Sequence, residues 1–404
     1  ASASGAYQVY YPHAGWAEQN PDEWWQAVSS AIKAALEKGK IRPSEIAGIG
    51  IDGQSWSAIP IDREGNVLTN TPIWMDTRAA DICERVGRQV GEERIFEVCG
   101  NPFKPSYTTP KILWYKENLP EVYKHTYKVL QSNSYIGFRL TGKVSQELTQ
   151  GYGLHCFRMR TGEWDMDMCK ELGVDPSFLP DIYASHDIIG TVTEKAAAEC
   201  GLTAGIPVVA GALDGRLRNA GKREWIQPRA GRQQGRQGGC RRGGMSICMD
   251  TYKADERLIL SYHAAPNQWI LQGGTVGGGG VMRWMEQEFA DYERLIGKEV
   301  GKSSLQIFNE IAEKVPAGSD GMVFLPYMSG ERSPIWDPYA KGVFYGLDFS
   351  KTKGHFVRAA MEGVAFSLRH NAGGGQKKQA PWPVSFGLWE DLQIHFCGHR
   401  SRLM

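Results

Sequence analysis

A chain of 404 residues exceeds one ordinary domain, and a hydrophobic share of 42% supplies the cores of two or three. A formal charge of +1 provides no global field for nucleic acid or an anionic membrane surface. No apolar run approaches the roughly 20 residues that span a bilayer, and eight scattered cysteines without a Cys-x-x-Cys pair suit reduced thiols in a cytoplasmic protein, not a disulfide framework or a zinc site.

Ala1 to Gly5 has neither the basic nor the apolar region of a signal peptide. The chain opens without an initiator Met, which suggests an earlier start. Asn20-Pro21-Asp22-Glu23 is a helix start, with a cap, a proline at the first turn and two acids facing the dipole. Trp24, Val28, Ile32 and Leu36 then recur at helical spacing, and Gly39 ends the helix. Ile46 to Ile51 predicts a buried strand leading into Asp52-Gly53-Gln54, and Ile59 to Leu68 a hairpin around Asp62 to Gly65. Pro110 to Asn118 is a helix. Ile206 to Ala212 is a continuous apolar strand leading to Asp214. Gly301 to Val315 is helical, Gly321 to Tyr327 is a short strand, and Thr352 to His370 is a helix with Phe356, Ala360 and Val364 on one face. Strands alternating with helices give an α/β protein.

Two segments break this pattern. Residues 215–243 are rich in Arg, Gly and Gln with no helical or strand period, and 372–404 are equally aperiodic. A basic linker directly after a buried strand is out of place in a compact enzyme. Out-of-frame translation of a GC-rich gene accounts for both compositions, with the frame returning by Gly244-Met245-Ser246.

Several positions carry groups suited to chemistry. Asp214 is a lone carboxylate at the carboxyl end of an apolar strand, where α/β folds place ligands; a plain turn Asp before Gly215 is the alternative. Gln54, Ser55 and Trp56 follow the first strand and offer an amide, a hydroxyl and an indole, groups that hydrogen-bond a ligand or stack on it; a buried Trp without a ligand is the alternative. Trp74-Met75-Asp76-Thr77-Arg78 sets an acid and a base two residues apart, a ligand-side candidate or a surface ion pair. Gly273 to Gly280, before a helix from Val281, lets backbone N–H groups approach phosphate. It lacks the Lys-Ser/Thr of a P-loop.

Gly342 to Glu362 couples a Gly-x-Phe-x-Gly-Leu turn to a helix with His355-Phe356 and Ala359-Ala360-Met361-Glu362. This stretch resembles the second signature of the FGGY family of carbohydrate kinases. Pro326 to Gly342 resembles the same family's Pro-Tyr-x-Ser-Gly-Glu-Arg-x-Pro segment. Ser106 to Asn118 resembles its first signature, with Lys111 and Trp114 at fixed positions and a structural role. The chain looks most similar to the xylulose kinases of that family.

The resemblance implies a two-domain actin/hexokinase-like (ribonuclease H-like) sugar kinase fold with a cleft between domains. The N-terminal domain covers 1–213 and the C-terminal domain 214–404. It implies ATP-dependent phosphorylation of a sugar hydroxyl, D-xylulose first, or of another ketose, a polyol or glycerol. Asp214, in Gly211-Ala212-Leu213-Asp214, becomes the general base. Gln54, Ser55, Trp56, Asp76 and Arg78 become sugar contacts; where xylulose-specific members carry Met-His, this chain has Ser55-Trp56, which puts the sugar in doubt. Gly244, Ser246, Gly278, Gly279 and Arg283 become nucleotide contacts, with Met245 replacing a family Thr. ATP and Mg²⁺ are the implied cofactors. No metal ligand is assigned, no nucleic acid or membrane partner is expected, and a homodimer stays open. The family's opening Asp-x-Gly-Thr strand-turn-strand and its adenine loop have no counterpart here, so a vestigial, non-catalytic sugar-binding protein is the second hypothesis. A nucleic-acid binder acting through Arg216 to Arg242 is a third, and the overall charge of +1 argues against it.

Overall fold

The computed structural model describes residues 1–213, 236–240 and 244–374. These fall into two compact units. Residues 1–213 and Cys248–Leu271 form the first; 236–240, 244–247 and 272–374 form the second. Cys248–Leu271 thus packs with the first unit, although the sequence division at 213/214 assigns it to the second. Asp214, most of the arginine-rich run and the tail beyond Gly374 lie outside the described residues. Arg236–Cys240 is a strand inside the aperiodic segment; a ladder needs only backbone groups, so side-chain period is no guide to it.

In the first unit, α1 spans Pro21–Gly39. Asn20 Oδ1 accepts from the Asp22 N–H at 2.9 Å, which satisfies one of the orphan donors of the first turn. Lys40, not Gly39, adopts the left-handed turn that ends the helix. Trp24 and Trp25 face a core that includes Ile59, Ile61, Leu130 and Tyr135. Those residues come from β2 (Ile59–Ile61), β3 (Lys128–Leu130) and α3 (Ser132–Thr141), and β2 pairs antiparallel with β3. The expected hairpin closes where the Asp62 carboxylate accepts from the Asn66 N–H at 2.8 Å.

The strand expected over Ile46 to Ile51 shrinks to β1, Asp52–Gly53, with an isolated bridge from Ile49 to Val208. Only Ile51 of the preceding apolar residues is buried. The apolar run from Ile206 breaks into Pro207–Val209 and β4, Ala212–Leu213. Gly211 causes the break: its φ is +78°, and a Cβ there would stand 2.2 Å from the Ile51 carbonyl oxygen. β1 and β4 pair in parallel, Asp52 with Ala212 and Gly53 with Leu213.

A second core of this unit gathers around α2, Thr108–Asn118, whose Ile112, Leu113, Trp114 and Tyr115 are all buried. Burying each such side chain contributes roughly 1.5–3 kcal/mol. Asn101 joins this region to a strand over Ile259–Tyr262 by two bonds of 2.9 Å to the Leu260 backbone.

In the second unit, α5 (Gly278–Phe289), α6 (Asp291–Val300) and α7 (Ser304–Glu313) precede a hairpin of Val323–Leu325 and Val343–Tyr345 and a long helix, α8, Lys353–Gly374. Val281, Met285, Phe308, Phe324, Val357 and Ala360 fill its core. The signature residues start α8. His355 Nδ1 accepts from the Thr352 N–H at 3.1 Å, half of a capping box, while Nε2 lies 3.0 Å from Asp320 Oδ2. Glu362 accepts from the Gly318 N–H at 3.0 Å and from Arg358 Nε at 2.6 Å. Among the described residues no helix is long and apolar enough to cross a membrane.

Candidate active site

The parallel pairing of β1 and β4 aligns two strand ends. Gln54 follows one, and Asp214, outside the described residues, follows the other in sequence. Side chains from α3 and from α4 (Leu148–Gly151) hold these ends. The Gln54 carbonyl accepts from Ser132 Oγ at 2.7 Å and Gln150 Nε2 at 2.9 Å. The Gln54 side chain donates to Gln19 Oε1 at 2.7 Å. At β4, the Leu213 N–H donates to Thr149 Oγ1 at 2.8 Å, and that hydroxyl donates to Glu147 Oε1 at 2.8 Å. Glu147 also accepts from the Thr149 N–H at 2.6 Å. Burial raises the Glu147 carboxyl to about 7, against the opposing hydrogen bonds from Thr149.

Sequence reasoning missed Glu147. Its one local signal is the N-cap pattern Glu147-Leu148-Thr149, which indicates a helix start but not a buried acid.

Trp56 is buried and has a left-handed φ of +63°. Its ring lies 4.3 Å from the Tyr107 ring at 31° and 5.7 Å from Tyr152. One face of the indole packs on Tyr107, and the ring is enclosed, at 1% exposure. Gln54 and Ser55 are part-exposed. His155 sits beyond Tyr107, with ring centroids 4.9 Å apart, and burial lowers its pKa to about 4.

Asp76 and Arg78 come together; Asp76 is buried and the Arg78 side chain is enclosed. Arg78 Nε and Nη2 reach Asp76 Oδ2 at 3.0 and 2.7 Å, and Nη1 reaches Glu18 at 2.8 Å. Asp76 Oδ2 also accepts from the Ala17 N–H at 2.7 Å. The guanidinium lies 3.9 Å from the Trp16 ring centroid and 4.9 Å from Trp114. With Asp76 at 0% exposure and the Arg78 side chain at 2%, the pair is enclosed in the first unit.

Lys111, at 0% exposure, donates to the carbonyls of Trp56, Ile73 and Ser106 at 2.8, 2.9 and 2.7 Å.

The second unit carries the glycine loop. The glycines differ in role. A Cβ on Gly273 would stand 2.5 Å from Asn371 Oδ1, and one on Gly277 2.1 Å from the Pro326 carbonyl, so both serve close packing. Gly278, Gly279 and Gly280 open α5, and a Cβ on Gly280 would meet nothing within 4 Å. Glu331, from the Ser-Gly-Glu-Arg segment, reaches the loop: Oε1 accepts from the Val276 N–H at 3.0 Å, and Oε2 from Thr275 Oγ1. Arg283 is exposed on α5. Gly244 and Ser246 lie in a strand over Gly244–Met249, where Ser246 is buried.

Residues 1–221 match the N-terminal domain of the FGGY family of carbohydrate kinases, and 249–382 match its C-terminal domain. The chain belongs to this family. It is similar to the xylulose kinase of Bacillus subtilis, 28% identical over 92% of this chain and 72% of that protein. It is 30% identical to the gluconokinase of Bacillus licheniformis over 90% of this chain and 69% of that protein. Among solved structures it resembles the ligand-bound xylulose kinase of Lactobacillus acidophilus, with a TM-score of 0.75 and 27% identity over 93% and 73% of the two chains. The chain is a sugar kinase by family, with the two-domain architecture of that family.

Proposed function

We propose that this kinase transfers the γ-phosphoryl group of ATP to a hydroxyl of a ketopentose, D-xylulose first, in the cytoplasm. The observation that carries the reading is the parallel pairing of β1 with β4, with Gln54 and Asp214 the next residues in sequence. Asp214 takes the proton of the sugar hydroxyl, whose oxygen bonds the γ-phosphorus as the bond to the β-phosphate oxygen breaks and ADP leaves. Gln54 and Ser55 contact the sugar, with Trp56 forming the packed floor beneath. Asp76 and Arg78 support that wall. The N–H groups of Gly278 and Gly279, at the start of α5, face the phosphates, with Arg283 one turn along and Gly244 and Ser246 supplying further contacts.

Among the described residues no three of His, Cys, Asp and Glu gather as a metal cage. A Mg²⁺ that arrives with ATP takes most of its ligands from phosphates and water and needs only one or two protein carboxylates, so the lack of a cage does not bear on the Mg²⁺ the family implies, and no step above runs through it. The gluconokinase relative makes D-gluconate the second candidate acceptor.

Coupled ADP release with D-xylulose, L-ribulose, D-gluconate, ribitol and glycerol tests the reading, with Asp214→Asn as the control. Turnover of D-xylulose abolished by that substitution is the expected result. Preference for D-gluconate overturns the sugar. Binding of ATP and sugar without turnover marks a non-catalytic remnant.

A further inference from the structure

We propose that Lys111 is a positioning residue that fastens three segments into one preorganised wall of the sugar site: the turn ending at Trp56, the chain at Ile73 and the chain at Ser106. This deepens the functional reading, since it rests on Gln54 to Trp56 touching sugar.

The geometry points to a clamp and not to a catalyst. An ammonium has three donors. Here each finds a backbone carbonyl within 2.9 Å, from residues 55, 38 and 5 positions away in sequence. The side chain is fully buried, so no proton remains to exchange with a substrate. Burial pulls the pKa down to about 7, with the Asp76 carboxylate acting the other way and the Arg78 charge adding to the fall.

Burying an ammonium costs several kcal/mol, and an apolar side chain would fill the same space without that penalty. What an apolar residue cannot do is tie three carbonyls to one point. Each tie acts on a segment that shapes the wall. Trp56 holds a left-handed φ of +63°, a conformation that persists only when its surroundings fix it. Ile73 precedes Trp74 and the buried Asp76. Ser106 precedes Tyr107, the ring on which Trp56 packs.

Lys111→Met is the direct test. Calorimetry with D-xylulose and D-gluconate is expected to show sugar affinity falling at least about tenfold, with affinity for a non-hydrolysable ATP analogue within about twofold of native. Hydrogen exchange of peptides spanning 54–58, 73–76 and 104–108 is expected to accelerate together. Native-like sugar affinity, or unchanged exchange in those peptides, overturns the proposal. If Lys111→Met does not fold, the native protein decides: a shared opening free energy for the three peptides supports the clamp, and independent openings overturn it. If the native protein binds none of the sugars, the functional reading of the turn fails, while the exchange pattern still decides whether Lys111 acts as the clamp.

Discussion

Glu331 holds the hydroxyl of Thr275, and the same carboxylate takes the Val276 N–H at 3.0 Å. The bond joins a segment recognisable in sequence by its Ser-Gly-Glu-Arg pattern to the loop that opens α5. Glu331 is only 4% exposed, so its loss leaves buried donors without an acceptor. Glu331→Ala is expected to weaken binding of an ATP analogue by about tenfold or more, given the roughly 1.5–3 kcal/mol of hydrogen bonds to a charged group. Sugar affinity should stay unchanged. Calorimetry with each ligand separates the two.

Asp76→Ala removes the partner of a buried guanidinium. Breaking a buried pair from one side costs up to about 3–5 kcal/mol, and Glu18, still 2.8 Å from Nη1, holds the loss to the lower end of that range. Urea denaturation should show a loss in that range. The double change Asp76→Leu with Arg78→Met should cost less than Asp76→Ala alone, since only the part-exposed Glu18 carboxylate then loses its partner.

Thr149→Val keeps the shape of the side chain and deletes the hydroxyl between Leu213 and Glu147. A buried N–H then lacks its acceptor, at about 1–3 kcal/mol. Since Leu213 precedes the proposed base, kcat is expected to fall about tenfold, the equivalent of 1.4 kcal/mol, with sugar KM unchanged. A fall in KM-controlled binding with kcat intact would place Thr149 on the sugar side instead.

Two buried groups give opposite pH slopes to stability. His155 is held neutral by burial, its pKa lowered from 6.5 to about 4. Between those values the unfolded chain binds the extra proton, so stability rises with pH. Glu147 has its pKa raised from 4.5 to about 7. Between those values the folded chain binds the extra proton, so its contribution is present below 4.5 and lost as pH rises through 7. Each slope is about 1.4 kcal/mol per pH unit. The two oppose each other from about pH 4.5 to 6.5. Glu147→Gln should therefore make stability rise more steeply with pH across that window than in the native protein, and His155→Asn should turn the change the other way. Denaturation midpoints at pH 4.8 and 6.3 check the sign.

The parts of the fold that announce themselves locally are visible in the sequence. Asn20-Pro21 and the tryptophan-led periodicity mark α1 because capping and amphipathicity act within one turn. His355 and Glu362 mark α8 for the same reason. Burial over Ile46 to Ile51 is overestimated, because apolar residues in a row do not reveal whether both faces are covered. Gly211 interrupts the next strand through contact with Ile51, a residue remote in sequence. The Asp76–Arg78 spacing is plain to see, but its enclosure by Trp16, Glu18 and Trp114 is a tertiary matter. Glu147 leaves almost no trace, since the sequence around a buried acid does not differ from that around an exposed one.

The turn at Gln54 is held by its carbonyl oxygens: Ser132 and Gln150 grip that of Gln54, and Lys111 grips that of Trp56. None of these bonds depends on the identity of the side chain at position 55. On the proposed reading that this turn touches the sugar, Ser55, part-exposed between two anchored carbonyls, is a place where the protein can be taught a new acceptor without retraining its scaffold. A library confined to that one position samples selectivity while the architecture beneath it stays constant.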